Sequence, residues 1–129
     1  MTQTKKKLYA LLVAVDKYQA TVPVMPGCRF DSLAGCVNDA QSMLSYLKQE
    51  EGFDLEVKFL KNEEATKKAV TDSLKTHLGQ AGENDVALFY YSGHGLQEHA
   101  DPELWKEETD GKLECLICYN KEDEPCLLA

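Results

Sequence analysis

Eight consecutive residues, Leu8-Tyr9-Ala10-Leu11-Leu12-Val13-Ala14-Val15, carry no polar face to turn toward water. Such a segment is stable only when both of its sides are covered, the situation of a strand in a parallel sheet flanked by helices. The run is far shorter than the ~20 residues that a membrane-spanning helix needs. Lys5-Lys6-Lys7 before it mimics the start of an export signal. No small-residue cleavage site follows before Asp16 and Lys17, so the sequence predicts a chain that is not exported.

The segments that follow alternate in period. A loop holds Pro23, Pro26 and Gly27. From Asp39 to Glu50 the apolar residues Ala40, Met43, Leu44 and Leu47 fall on one side of a helix. Asn38 and Gln41 form a capping pair near its start, with the first turn placed to within a residue or two. Leu55 to Phe59 alternates strictly, as a half-covered strand does. Thr66 to Leu78 reads as a second helix, with Ala69, Val70, Leu74 and Leu78 on one side and Gly79 to stop it. Gly82 and Asn84-Asp85 make a turn before the apolar strand Val86 to Tyr91, which ends in Ser92-Gly93-His94-Gly95. An acidic loop with an Asp110-Gly111 turn comes next, then a strand near Leu113 to Tyr119.

Strand, helix, strand, helix, strand predicts a parallel sheet with helices on both faces. Right-handed crossovers put the strands in the order second, first, third. The third strand would then lie at an edge, although it is apolar throughout, and apolar edges invite uncontrolled pairing. It is expected to have a further strand beside it, so this chain reads as part of its fold. At 129 residues it suits one domain, residues 1–129, large enough for a core without metal or disulfide staples.

The net charge is −8, and it is uneven: residues 1–78 hold 11 basic and 10 acidic side chains, residues 79–129 hold 3 and 12. An acidic chain is a poor ligand for a nucleic-acid backbone, so no nucleic-acid partner is expected. The stretch from Glu98 to Glu124 reads as a solvated loop or as a surface that attracts basic partners. Five cysteines, Cys28, Cys36, Cys115, Cys118 and Cys126, make an odd set with irregular spacing, which with no export signal predicts reduced thiols in the cytoplasm. Cys115 and Cys118 are spaced C-x-x-C, but three residues along a strand reverses the face, and no second pair completes a metal site.

His77 falls in the last turn of the second helix, where a structural role is expected, and His99 falls in the acidic loop. His94 stands between two glycines at the carboxyl end of a buried strand, where open α/β sheets hold their ligands, and fits either a functional histidine or a loop histidine beside an ordinary turn. Gly35-Cys36-Val37-Asn38-Asp39-Ala40 opens on the same rim. Asp39 there fits either a carboxylate that steadies a helix N-terminus or one that faces a ligand. Cys36 fits either a thiol acidified by the helix dipole or a small core residue.

Three segments, Tyr9 to Tyr18, Leu33 to Ala40 and Asp85 to Gly95, together resemble the caspase-like cysteine peptidases, in particular the metacaspase and bacterial caspase-like branch. The resemblance covers nearly the whole chain. It implies a three-layer α/β sandwich of the caspase-like type, with a mainly parallel sheet, incomplete at the C-terminal side. It implies His94 as the general base and acid for a cysteine nucleophile, and Gly95 as a backbone donor to the oxyanion. Asp39 would line the substrate pocket and favour Arg or Lys before the scissile bond. The family's Asp-x-Cys-His-Ser-Gly type of segment, which carries the nucleophile, is absent from these residues. No cofactor is implied, and no metal: Asp110 matches one calcium position of some relatives, but Asn120 stands where an acid is usual. Three functional readings follow: a histidine-bearing part of a peptidase, inactive alone and completed by a cysteine-bearing C-terminal portion; an inactive binding or regulatory module; and an enzyme in which Cys36 itself serves as nucleophile.

Overall fold

The structure, a computed structural model, describes residues 6–19, 21–22, 30–99, 112–121 and 124–128. The Pro23, Pro26 and Gly27 stretch, Cys28, the Asp110-Gly111 turn and much of the acidic stretch lie outside the described residues, as does the side chain of His99.

Strand β1 (Lys6–Ala14) is the centre of a parallel sheet, with β2 (Phe53–Lys61) on one side and β3 (Val86–Ser92) on the other. The order β2-β1-β3 is the one that the crossover rule predicts. In register, Leu8 lies opposite Leu55 and Val86, and Leu12 opposite Phe59 and Tyr90. Alternation along β1 then divides its side chains between two layers. Leu8, Ala10 and Leu12 pack with Met43, Leu44 and Leu47 of α1 (Cys36–Lys48), while Leu11, Val13 and Val15 pack with Ala69, Val70 and Leu74 around α2 (Lys67–Thr76). Leu11 and Leu12 are both fully buried, one on each face. Each such burial stabilises by about 1.5–3 kcal/mol. The core therefore occupies both faces of β1, which explains why that strand is apolar at every position from Leu8 onward.

Helix boundaries differ from the sequence reading in informative ways. Helix α1 begins at Cys36, with Gly35 rather than Asn38 as its cap residue, because the capping acceptor comes from another part of the chain. It ends at Lys48, before Glu50. Helix α2 starts as expected: the Thr66 hydroxyl oxygen accepts the Ala69 N–H at 3.2 Å. It stops earlier, at Thr76, and Gly79 falls inside a 3₁₀ turn, Leu78–Gln80, instead of ending the α-helix. His77 caps α2 and turns its ring onto the sheet, with Nε2 3.1 Å from the Ala10 carbonyl and 3.0 Å from the Glu56 carbonyl. Its role is structural.

A second, antiparallel sheet has the order β4-β5-β6, from Gly95–His99, Lys112–Ile117 and Leu127–Leu128. The sequence predicts a loop directly after Gly95, because Leu96-Gln97-Glu98-His99 has a single apolar residue and no alternation to betray β4. Strand β5 ends at Ile117, ahead of the expected Tyr119. Cys118 follows it, and its N–H donates to the Cys126 carbonyl at 2.8 Å. Burial, with Cys126 nearby, pushes the Cys118 thiol up to about 12. Cys115 and Cys118 are both buried. Asn120 is buried as well, with its amide committed to the loop after β1. Nδ2 donates to Gln19 O (2.8 Å) and Val22 O (2.7 Å), and Oδ1 accepts from Gln19 N (2.7 Å).

Candidate active site at the carboxyl edge of the sheet

Strands β1 and β3 end together, where the Val15 N–H donates to the Ser92 carbonyl at 2.9 Å. Asp16 lies just beyond β1, and its carboxylate caps α1 from twenty residues away. Oδ1 accepts the N–H groups of Gly35 (3.1 Å) and Cys36 (2.7 Å), and Oδ2 accepts that of Val37 (3.0 Å). Gly35, at φ 148°, adopts a backbone that other residues rarely do, and this brings its N–H into the cradle. Burial opposes ionisation of Asp16, but the donors from Val37, Cys36 and Gly35 outweigh it and hold the carboxyl below its ordinary value. A depressed carboxyl stabilises the fold above its unfolded value and loses that contribution as pH falls through the folded one. Asp16→Ala should therefore cost about 1–2 kcal/mol at neutral pH. The difference from the parent should vanish in urea melts run well below pH 4, and an unchanged difference there would remove the carboxylate from the cap.

His94 lies two residues beyond β3 on the same edge. Its imidazole packs against Phe30, with ring centroids 4.7 Å apart, and against Tyr18, at 5.0 Å. Nε2 is 2.8 Å from the Asp31 carbonyl oxygen. A carbonyl only accepts, so Nε2 carries the hydrogen, and in the neutral ring Nδ1 is left with the lone pair. The Asp31 segment is itself tied to the strand end: Leu33 N–H donates to Asp16 O at 2.6 Å, and Tyr18 N–H donates to Ser32 Oγ at 3.2 Å. These contacts fix the tautomer and the tilt of the ring.

The main chain around His94 is held as closely. The Ile117 N–H donates to the His94 carbonyl at 3.0 Å, a bond that closes the antiparallel ladder just before Gly95. The next pair, Gly95 with Leu116, is then a non-hydrogen-bonded one, and the Gly95 N–H points away from β5. Gly93 has its own constraint. A Cβ there would lie 2.5 Å from the Tyr91 hydroxyl oxygen and 2.8 Å from that of Tyr18.

Asp39 occupies the first turn of α1 with an exposed side chain, so the carboxylate is at the rim and the turn sits at the same sheet edge as His94. The two are thus brought to one edge, as the strand–helix alternation predicts. Cys36 departs from one expectation. Burial pushes its thiol up, and the adjacent Asp16 and Asp39 charges add to this against a favourable contact with Ser92. The shift is opposite in direction to the one a helix N-terminus gives a thiol, with burial its largest cause. Sequence reasoning missed Asp16, Tyr18, Tyr91 and the Asp31 carbonyl. Their only signal was position, since Asp16 to Tyr18 directly follow the buried strand.

A family model described as the caspase domain of the C14 peptidases matches residues 7–125, and the chain belongs to that family. It is 32% identical over 100 residues to metacaspase-3 of Arabidopsis thaliana, covering 72% of this chain and 27% of that protein. It is 34% identical over 86 residues to metacaspase-1A of Aspergillus terreus, covering 61% and 21%. A Geobacter sulfurreducens protein known from its crystal structure superposes with a TM-score of 0.68 at 26% identity, over 95% of this chain and 41% of that one. The chain thus spans roughly a fifth to a quarter of the curated relatives it matches. Among the described residues no helix is long and apolar enough to cross a membrane.

Proposed function

We propose that residues 1–129 form the histidine-bearing part of the catalytic domain of a caspase-like cysteine endopeptidase, working in the reducing cytoplasm. The observation that carries the reading is the imidazole of His94, with Nε2–H held by the Asp31 carbonyl and Nδ1 left as a base. The nucleophile is a cysteine on the C-terminal portion of the same peptidase. Two features support a partner segment. Strand β3 is the edge of its sheet among the described residues, and it is apolar from Val86 to Tyr91, with Val86 40% exposed.

In this mechanism Nδ1 of His94 takes the proton of the cysteine thiol, and the sulfur attacks the scissile carbonyl carbon. The carbonyl π electrons move onto oxygen, and the resulting oxyanion is stabilised by the Gly95 N–H. When the tetrahedral intermediate collapses, the C–N bond breaks and the imidazolium gives its proton to the leaving amine. Water, deprotonated by the same nitrogen, then hydrolyses the thioester. Asp39 supplies a pocket carboxylate for Arg or Lys before the scissile bond, through charge-assisted hydrogen bonds about twice as strong as neutral ones.

The test joins this chain to the cysteine-bearing segment, fused or mixed, and profiles cleavage with a library varied at the residue before the scissile bond. Cleavage after Arg and Lys is expected, with kcat/KM for Arg substrates falling strongly in Asp39→Ala at any salt concentration. Neutralising acids between Glu98 and Glu124 should matter mainly at low salt, where exposed charges are least screened. A profile dominated by Asp or by an apolar residue, and unmoved by Asp39→Ala, removes Asp39 from the pocket. A folded complex that binds peptides without cutting them replaces the peptidase reading with that of a binding module.

A further inference from the structure

His94 and Ile117 stand one position beyond Gly95 and Leu116, the last pair of the β4–β5 ladder, and they depart from an ordinary hydrogen-bonded pair. Such a pair exchanges two direct backbone bonds. Here one is direct, from Ile117 N–H to the His94 carbonyl at 3.0 Å. In place of the other stands the hydroxyl of Tyr18: it accepts the His94 N–H at 3.0 Å and donates to the Ile117 carbonyl at 2.9 Å. The Tyr91 hydroxyl flanks it at 3.2 Å, within reach of the His94 carbonyl (2.7 Å) and the Ile117 carbonyl (2.6 Å). Tyr18 is buried, at 5% exposure, and its ring also lies 5.0 Å from the His94 imidazole.

We infer that Tyr18 is a positioning residue for His94, its hydroxyl inserted into the ladder to set where the histidine backbone and ring stand. The inference rests on the peptidase reading above. Its logic is geometric. Remove the hydroxyl and the His94 N–H either stays unpaired or closes directly on the Ile117 carbonyl, which keeps the Tyr91 hydroxyl, drawing His94 toward β5 and off the Asp31 carbonyl. Displacement of a catalytic group by ~1 Å is enough to cost about 100-fold in rate. Tyr18 touches neither substrate nor reacting atoms in this scheme, so its loss should lower kcat and spare KM.

Tyr18→Phe in the completed peptidase should lower kcat by about 10- to 100-fold with KM within about twofold. In the 129-residue chain alone, NMR should show the His94 Nε2–H signal lost to exchange while amides of β1 and β2 stay protected. If Tyr18→Phe does not fold, 3-fluorotyrosine in place of Tyr18 keeps ring and hydroxyl but weakens the acceptor, and the His94 amide resonance should move upfield. Cleavage that survives His94→Ala overturns the functional reading, and this inference with it. Cleavage lost in His94→Ala but within twofold of the parent in Tyr18→Phe, or His94 signals unmoved by either Tyr18 variant, overturns the inference alone.

Discussion

Replacing His94 with alanine should lower kcat of the completed peptidase by about 10²–10⁴-fold, the usual contribution of a positioned general acid–base. The expectation follows from the tautomer: with Nε2–H on the Asp31 carbonyl, no other described group offers an imidazole lone pair at this edge. The 129-residue chain by itself should give no turnover of peptide substrates, since a base without its thiol forms no acyl-enzyme. Cys36 is a poor substitute, because burial and the Asp16 and Asp39 carboxylates keep its thiol protonated. A fluorogenic peptide assay decides the matter. Robust turnover by the purified chain that disappears in Cys36→Ser would make Cys36 the nucleophile and leave the C-terminal cysteine without that role.

Gly93→Ala should lower Tm by roughly 5–15 °C, an overpacking cost of about 1–3 kcal/mol in a domain of this size. The new methyl group would meet the Tyr91 hydroxyl at 2.5 Å, the Tyr18 hydroxyl at 2.8 Å and the Tyr91 ring carbon beneath it at 2.9 Å. Both hydroxyls are held by backbone partners and cannot swing aside without giving up bonds. Gly79→Ala is the control. Nothing lies within 4 Å of a Cβ at that position, so thermal melts should show little change. Equal behaviour of the two variants would mean that the tyrosine pair yields easily and that Gly93 is not confined by it.

The sheet was legible because hydrophobic periodicity reports burial directly. The all-apolar β1, the alternating β2 and the one-sided helices each announced how many of their faces were covered, and the crossover rule ordered the strands. His94 was legible for a related reason, since two glycines at the end of a buried strand mark a place where backbone must come close to something. What stayed hidden was long-range polar pairing. Nothing local to Asp16 says that its carboxylate will cap a helix that starts at Cys36, and so the local pattern points to Asn38 instead. Strand β4 was hidden as well, because its pairing with β5 rests on backbone bonds that leave little trace in side-chain pattern. The Cys36 thiol takes its expected shift from the helix it begins, whereas burial first, and then the distant Asp16 carboxylate, push it the other way.

The two hydroxyl-to-carbonyl bonds on Ile117 also bear on the order in which the molecule assembles. Tyr18 and Ile117 are 99 residues apart in sequence, and the Asn120 amide binds Gln19 and Val22 across separations of 101 and 98. By contrast β1, α1 and β2 follow one another within the first half of the chain. Loop-closure entropy must be spent before distant contacts return anything, so the three-stranded sheet is the natural early structure and the docking of β5 the late one. Among these elements the histidine loop is therefore finished late. A nascent chain that has passed β3 holds the strands of the parallel sheet but not the carbonyl that steadies Tyr18, nor Ile117, Cys118 and Cys126 of the core, and it leaves the base unset until β5 has arrived.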